Sequence, residues 1–536
     1  MISKRLAILL AAIFVVALSV PSPAQTSQLG SVEFQTSGSP AAQAQFLRGL
    51  AALHSFWYAE ALEAFREATK TDPEFMMGYW GEAMALNHPL WSEQDTAAAR
   101  AVVAKIKESP KLTARERAYL NAVKLLYGEG DKRSRDAAYS AAMEKVYTDY
   151  GTDLDAAAFY SLSLLGLVRS EDKSYRLQAR AGAIALEVYR QNPNHPGAAH
   201  YIIHAFDDPE HAIIALPAAR RYADIAPAAH HARHMPSHIF LQLGMWPEAA
   251  ASNESAWEVS DAWMKAKNLS PSVRDYHSLH WLLYVYLQQG RYRKAEDLLS
   301  LMKKTMSETP YEDKLRPAYY ENNYANMAAA FIVETERWDL TNSLFSTAAP
   351  SAPNGEAMGS HSHGAAPATT DATLRTSDRS LRLPTFVRNL AGAWKGTLKS
   401  GAVTEGTSIG ELEAFAVAAA AKGDHNGAAK LMRQAVEREE KLGPPSGPPN
   451  LIKPAHELFG ELLLRAGKPA EAAEQFRISL LRQPNRARSL LGAARAAAKI
   501  GNRSVAEETY QKLLAQWQQA DADLPELKEA REFLKK

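Results

Sequence analysis

The sequence predicts an all-α protein built from stacked helical hairpins, and three observations lead to this prediction. The composition is rich in Ala and Leu and has few runs of β-branched residues, which favours helices over strands. Small and large residues recur at fixed offsets along much of the chain. Near the C-terminus the same residue types return with a period of 34 residues. The length of 536 residues exceeds what one compact core usually holds, so several units are expected.

The first clear hairpin lies between Ala41 and Pro73. Five residues stand at offsets 0, 12, 16, 19 and 24 from the first of them, and they are Gly49, Ala61, Phe65, Ala68 and Pro73. Two antiparallel helices that cross closely need small residues where their backbones meet. A large residue fills the space between them, and proline ends the second helix. This spacing therefore predicts a pair of packed helices.

The C-terminal part of the chain shows the period directly. Three positions return 34 residues later, and the pairs are Gly467 and Gly501, Ala472 and Ala506, and Phe476 and Tyr510. This pattern resembles the tetratricopeptide-repeat superfamily, and the resemblance covers most of the chain from Ala41 to Lys536. The resemblance implies a right-handed α-solenoid of tetratricopeptide-type hairpins, here in two arrays. It also implies a scaffold that binds a protein, a peptide or a small ligand on its concave face.

Changes in composition predict four segments. Residues 1–24 have a basic start, an apolar run too short to span a bilayer, and small residues before Gln25, as in a secretory signal peptide. An N-terminal array is expected over residues 30–346 and a C-terminal array over residues 381–536. Residues 347–380 between them are rich in Ala, Pro, Ser, Thr and Gly, which predicts a flexible linker.

Cysteine content and charge narrow the possible environments and partners. The chain has no cysteine, which excludes disulfides and thiolate metal ligands, and it suits a periplasmic or secreted bacterial protein. The formal net charge is +1, and removal of Lys4 and Arg5 with the signal leaves 59 basic against 60 acidic residues. This balance predicts no nucleic-acid partner. No stretch after residue 24 is long and apolar enough to span a bilayer, which predicts no stable insertion into a membrane after signal cleavage.

Histidine is concentrated in one stretch, from His195 to Trp246, which holds eight of the chain's 16 histidines. His200 and His204 are four residues apart on a predicted helix, so their imidazoles share one face and could bind one metal ion. His234 and His238 have the same spacing and flank Pro236, which is expected in the first turn of a helix. Zinc or copper suits imidazole ligands. The predicted ligands are His200, His204, His234, His238, Asp207, His231 and His280.

Two other interpretations of these residues stay open at the sequence level. Histidines also pack between helices and cap helix breaks, which would make the stretch purely structural. A hydrolase could use a histidine with Asp207 or Asp208 as its base, but the sequence identifies no catalytic residue. A binding scaffold is therefore the leading prediction, and a metal-binding or metal-dependent protein is the alternative.

Aromatic and asparagine residues suggest where a ligand of the scaffold could bind. Trp57 and Trp80 belong to an aromatic cluster in the first repeats that could line a groove, although filling the space between hairpins is the commoner role. Asn322 and Asn326 lie four residues apart on a predicted helix, where asparagine side chains could hold a peptide backbone. These four residues are the predicted ligand-binding positions.

Overall fold

A computed structural model describes residues 28–169, 172–311, 318–345, 379–399, 401–449 and 451–535, and these segments are almost entirely helical. Up to residue 345 the helices are α1 (Pro40–His54), α2 (Tyr58–Thr71), α3 (Met76–Met84), α4 (Thr96–Val103), α5 (Ala114–Leu126), α6 (Lys132–Asp149), α7 (Leu154–Gly166), α8 (Arg176–Gln191), α9 (Pro196–Ala205), α10 (Ala212–Ile225), α11 (His230–His234), α12 (Pro236–Gln242), α13 (Trp246–Ala266), α14 (Tyr276–Gln288), α15 (Tyr292–Glu308), α16 (Tyr319–Thr335) and α17 (Thr341–Leu344). After the predicted linker they are α18 (Arg379–Trp394), α19 (Ile409–Ala421), α20 (His425–Glu440), α21 (Ala455–Arg465), α22 (Pro469–Arg482), α23 (Ala487–Ile500), α24 (Arg503–Gln516) and α25 (Pro525–Lys535).

The hairpins interlock as the repeat pattern predicts. The ring of Phe65 on α2 lies between Gly49 on α1 and Gly81 on α3. A Cβ atom at Gly49 would come within 2.8 Å of that ring, and one at Gly81 within 2.3 Å. Only glycine fits on both sides of the ring. Phe65 therefore packs its own hairpin against the next helix.

The same arrangement recurs near the C-terminus. The ring of Phe476 on α22 lies between Gly460 on α21 and Gly492 on α23, where added Cβ atoms would approach it within 2.7 and 2.2 Å. Gly501 follows α23 with φ +86°, a left-handed conformation that ends a helix at little cost for glycine. The predicted all-α fold of tetratricopeptide-type hairpins, an α-solenoid, is confirmed.

The stack of hairpins continues across the predicted linker. Ala329 and Ile332 on α16 share a hydrophobic cluster with Val387 and Leu390 on α18. The helices that follow also return to the earlier ones, because Trp246 Nε1 donates a hydrogen bond to the carbonyl oxygen of Asn485 at 2.8 Å. Later hairpins therefore cover part of the surface of the earlier array.

A buried ionic contact strengthens this packing between the arrays. Arg486, at the start of α23, is fully buried. Its guanidinium donates to Glu457 Oε2 at 2.7 Å, to the hydroxyl of Tyr284 at 2.9 Å, and to the carboxylate of Glu334. This buried cation contacts two carboxylates, so residues far apart in sequence pack in the same core.

Two short strands depart from the all-helical prediction. β1 (Asn87–His88) and β2 (Glu93–Gln94) pair antiparallel, with Asn87 opposite Gln94 and His88 opposite Glu93. The turn between them carries Trp91, whose ring is 5.4 Å from the ring of Phe56. The insertion thus brings an aromatic side chain toward the histidine-rich stretch.

The predicted signal peptide and most of the predicted linker lie outside the described residues. Within the described segments, no helix is both long enough and apolar enough to cross a bilayer.

Candidate metal centre

Four helices bring histidines to one place. α9 carries His200 and His204 one turn apart, α11 carries His231 and His234, α12 carries His238, and α14 carries His277. Pro236 occupies the first turn of α12, as predicted from the sequence. It separates α11 from α12 at the point where the second histidine pair is formed.

The first group consists of His200, His204 and His231. One ring nitrogen of each lies within 4.8 Å of the other two. Nε2 of His204 and Nε2 of His200 are 3.0 Å apart. His200 and His231 are buried and His204 is half-buried. Three imidazoles with converging nitrogens form a donor set for a transition metal.

The second group consists of His234, His238 and His277. One ring nitrogen of each again lies within 4.8 Å of the other two. Nε2 of His234 and Nε2 of His238 are 3.2 Å apart. The second group is arranged like the first. Each group consists of two histidines four residues apart and a third histidine from another helix.

The two groups adjoin each other. Ring centroids of His204 and His238 are 6.0 Å apart, and those of His231 and His234 are also 6.0 Å apart. Within the groups the centroid distances are 4.7 Å for His200 and His204 and 5.0 Å for His234 and His238. The six side chains thus form one continuous cluster, named here the six-histidine centre.

Hydrogen bonds donated by Nδ1 orient three of these rings. Nδ1 of His200 donates to the backbone oxygen of His54 at 2.7 Å, and Nδ1 of His234 donates to Asn253 Oδ1 at 2.7 Å. The amide of Asn253 is itself fixed, since its Nδ2 donates to the oxygen of Ala249. A donating Nδ1 makes Nε2 the lone-pair nitrogen of a neutral imidazole, which is the form that binds a metal.

Asp207 orients the third ring. Nδ1 of His238 donates to Asp207 Oδ2 at 2.7 Å, and Nε2 of Gln242 donates to Asp207 Oδ1 at 3.1 Å. Burial raises the pKa of Asp207 well above its usual range. Asp207 thus contacts the Nδ1 side of the His238 ring, away from its Nε2. The sequence predicts Asp207 as a direct ligand.

A proline-rich loop of the C-terminal array contacts residues next to the second group. Nε2 of Gln242 also donates to the oxygen of Pro445 at 2.9 Å. A Cβ atom at Gly447 would lie within 2.5 Å of the ring of Trp281, which is itself 4.2 Å from the ring of His238. The loop thus contacts the residues that surround the second group.

Burial controls the charge of the histidines. Desolvation lowers the pKa of His200 to about 3 and lowers the pKa of His204 and His231 well below the usual value. The same cause lowers the pKa of His234, His238 and His277. All six rings are therefore neutral at neutral pH, and no proton has to be displaced from a charged imidazole before a metal binds.

A third group, formed by His54, Asp155 and His195, is held together by hydrogen bonds. Nε2 of His54 donates to Asp155 Oδ1 at 2.8 Å, and Nε2 of His195 is 3.4 Å from the same oxygen. Nδ1 of His54 accepts from the hydroxyl of Tyr201, and Nδ1 of His195 accepts from the amide of Ala198. These bonds occupy both nitrogens of His54 and make the group a support for the carbonyl that orients His200.

Aromatic rings enclose the centre. The ring of Phe56 is 4.2 Å from the ring of His200, and the ring of Trp91 is 6.2 Å from that of His231. Phe56 has φ +52°, which is rare for a bulky residue and costs strain energy. Such strain is typical of functional sites, and here it directs an aromatic ring against the first group.

Two further histidines, His277 and His54, contribute to the site. His277 of α14 completes the second group, and the predicted ligand His280 lies one turn farther along the same helix. The sequence does not indicate that His54 contacts the histidine-rich stretch, because 146 residues separate His54 from His200. A search for histidines at the end of an early repeat helix would have found it.

The predicted ligand-binding residues lie in packed surroundings. Trp80 is fully buried between Phe34 and Phe159, and Trp57 packs against Trp263 with ring centroids 5.6 Å apart. The side chains of Asn322 and Asn326 are buried as well, and Nδ2 of Asn326 donates to the backbone oxygen of Asn322. In this conformation, these four residues contribute to the core.

Comparisons with known proteins extend the description of the fold only slightly. No family model matches the chain, and no curated protein matches it. Among solved structures, the APC/C hetero-tetramer Cut9-Hcn1 is 12% identical, with 92% of this chain and 76% of that chain covered and a TM-score of 0.36. Yeast Tom70 is 10% identical (92% and 88% covered, TM-score 0.24). The human IFIT1 dimer with m7Gppp-AAAA is 11% identical (95% and 92% covered, TM-score 0.33).

Similarity at this level says nothing about what the chain binds. The classification rests on the interlocked glycine and phenylalanine positions described above, which recur in both arrays. On that packing, the chain has a helical-repeat fold of tetratricopeptide-type hairpins.

Proposed function

We propose that this protein binds zinc or copper ions at the six-histidine centre. The observation that carries the proposal is the contact between His234 and His238. Both Nδ1 atoms are bonded to oxygen atoms, and the two Nε2 atoms are 3.2 Å apart. When both Nδ1 atoms donate, both Nε2 atoms carry lone pairs, and a cation between the two Nε2 atoms would bind to both of them.

The chemistry of the donors favours a transition metal. Imidazole nitrogen suits zinc and copper, whereas calcium and magnesium prefer oxygen. The two groups contain histidines only, and the chain has no cysteine that could compete as a ligand. The bonds from Nδ1 to Asp207, Asn253 and the carbonyl of His54 are the oriented contacts that metal-binding histidines usually make.

Binding of a protein or peptide partner is the second candidate function, and the repeat architecture supports it. Helical-repeat stacks present extended surfaces that other chains can occupy. Because Asn322 and Asn326 are buried, a peptide-binding face would use other residues. Pull-down with a variant that lacks the metal centre would show whether partner binding is separate from metal binding.

We also propose that the protein is exported to the periplasm or secreted. The signal-like pattern of residues 1–24 and the absence of cysteine support this location. Fractionation of cells that express the full chain tests it, and retention of the uncleaved chain in the cytoplasm would contradict it.

Elemental analysis of the full chain, purified without a histidine tag, tests the metal proposal. Zinc or copper should co-purify, and a chelator should lower the melting temperature. His204→Ala removes a half-buried donor and should reduce the metal content, whereas His425→Ala removes an exposed histidine of α20 and should not. Metal-free protein with unchanged melting after chelation, and no uptake of added metal, would refute the proposal.

A further inference from the structure

We propose that the two three-histidine groups act together as one dicopper centre that binds dioxygen. This inference rests on the metal-binding function proposed above and deepens it. It is carried by the symmetry of the two groups, by their closeness and by their all-nitrogen donors.

The geometry indicates one centre with two metal positions. Each group supplies three nitrogens that lie within 4.8 Å of one another, which matches one ion per group. Ring contacts of 6.0 Å join His204 to His238 and His231 to His234 across the boundary. Ions held by adjoining groups would share one pocket, as in sites where two metals bind a single small ligand.

The donor set favours copper over zinc. Neither group includes a carboxylate ligand, so the six donors are neutral nitrogens, and the carboxyl of Asp207 contacts the second group through Nδ1 of His238. Two Cu(I) ions add less charge to this interior than two Zn(II) ions, and uncompensated charge is costly to bury. Among divalent ions, nitrogen sites also bind copper more tightly than zinc.

Three nitrogens leave each copper with an open coordination position for a small ligand. His204 in the first group and His277 in the second are half-buried, so each group has a side near solvent. The aromatic rings of Phe56 and Trp91 pack against His200 and His231 of the first group. Such apolar surroundings suit a small neutral ligand such as dioxygen.

The proposed step balances without an outside reductant. Two Cu(I) ions each give one electron to dioxygen and become Cu(II). The oxygen molecule accepts both electrons, its double bond becomes a single bond, and the resulting peroxide bridges the two coppers. No proton is consumed, and transfer of the two electrons back to copper releases dioxygen.

The experiment loads the metal-depleted, untagged full chain with Cu(I) under anaerobic conditions and then admits oxygen. We expect two coppers per chain. Oxygen should produce a peroxide-to-copper charge-transfer absorption, while the coupled Cu(II) pair gives no electron paramagnetic resonance signal. His204→Ala and His277→Ala should each keep one copper and lose the oxygen response, and His425→Ala should behave as the unmodified chain. Circular dichroism of each variant checks that the helices remain folded, and His204→Gln or His277→Gln replaces the corresponding alanine variant if it unfolds.

The outcomes separate the two proposals. One copper per chain, or paramagnetic signals that account for all the Cu(II), would overturn the dicopper inference and leave metal binding intact. Two coppers without any change on exposure to oxygen would overturn it too. Failure to bind either copper or zinc would overturn the proposed function and the inference together.

Discussion

Replacement of Asp207 by alanine tests whether the contacts behind the histidines serve metal binding. Asp207 Oδ2 accepts the Nδ1–H of His238 at 2.7 Å, and a buried donor left without its acceptor costs about 1–3 kcal/mol. Since about 1.4 kcal/mol corresponds to tenfold in affinity, Asp207→Ala should weaken metal binding at the second group about 10–100-fold. Loss of such a partner in known metal sites has an effect of the same order.

Competition with a chelator of known affinity measures the effect, with zinc and copper titrated separately. Asp208→Ala is the matched control, because Asp208 bonds to His211, which lies outside the six-histidine centre. We expect the control to bind metal as the unmodified chain does. Unchanged affinity of Asp207→Ala, or an equal loss in Asp208→Ala, would refute the positioning role of Asp207.

The remaining predictions concern stability. Burial raises the pKa of Glu413 well above its usual range, so this carboxylate destabilises the fold once pH exceeds the pKa of the unfolded chain. Glu413→Gln should therefore raise Tm at about pH 8 and change it little at about pH 4, near the unfolded pKa. Gly492→Ala should lower stability by about 1–3 kcal/mol, because its Cβ would lie 2.2 Å from the ring of Phe476. Thermal melts measure both effects.

Two matched variants control these measurements. Glu405→Gln changes an exposed carboxylate and should leave Tm unchanged at both pH values. Gly443→Ala adds a methyl group where no atom lies within 4 Å, so it should not destabilise the chain. A lower Tm for Glu413→Gln at alkaline pH would contradict the burial argument. Equal stability of Gly492→Ala and Gly443→Ala would contradict the interlocked packing.

The repeat fold could be predicted because its determinants are local and periodic. Phe65 and the glycines around it lie within a single stretch of two hairpins, and the same chemistry returns at Phe476. Each contact follows from spacing along the sequence, since residues of neighbouring helices meet at fixed offsets. The short β1–β2 insertion was missed because four residues of extended chain leave no periodic pattern.

The six-histidine centre could be predicted only in part. The pairs His200–His204 and His234–His238 follow from one helical turn of spacing. The third member of the second group depends on tertiary packing, which brings His277 of α14 to the group, one turn before the predicted ligand His280. The supporting carbonyl of His54 is invisible to any local pattern, because it comes from a helix 146 residues earlier.

Anomalous X-ray diffraction at the copper and zinc edges, from crystals of the untagged, metal-loaded chain, tests the central claim most directly. One anomalous peak is expected within each three-histidine group, at about 2.0–2.1 Å from the nitrogens that bind the metal ion. Metal bound elsewhere, with no peak among His200, His204 and His231 or among His234, His238 and His277, would contradict it.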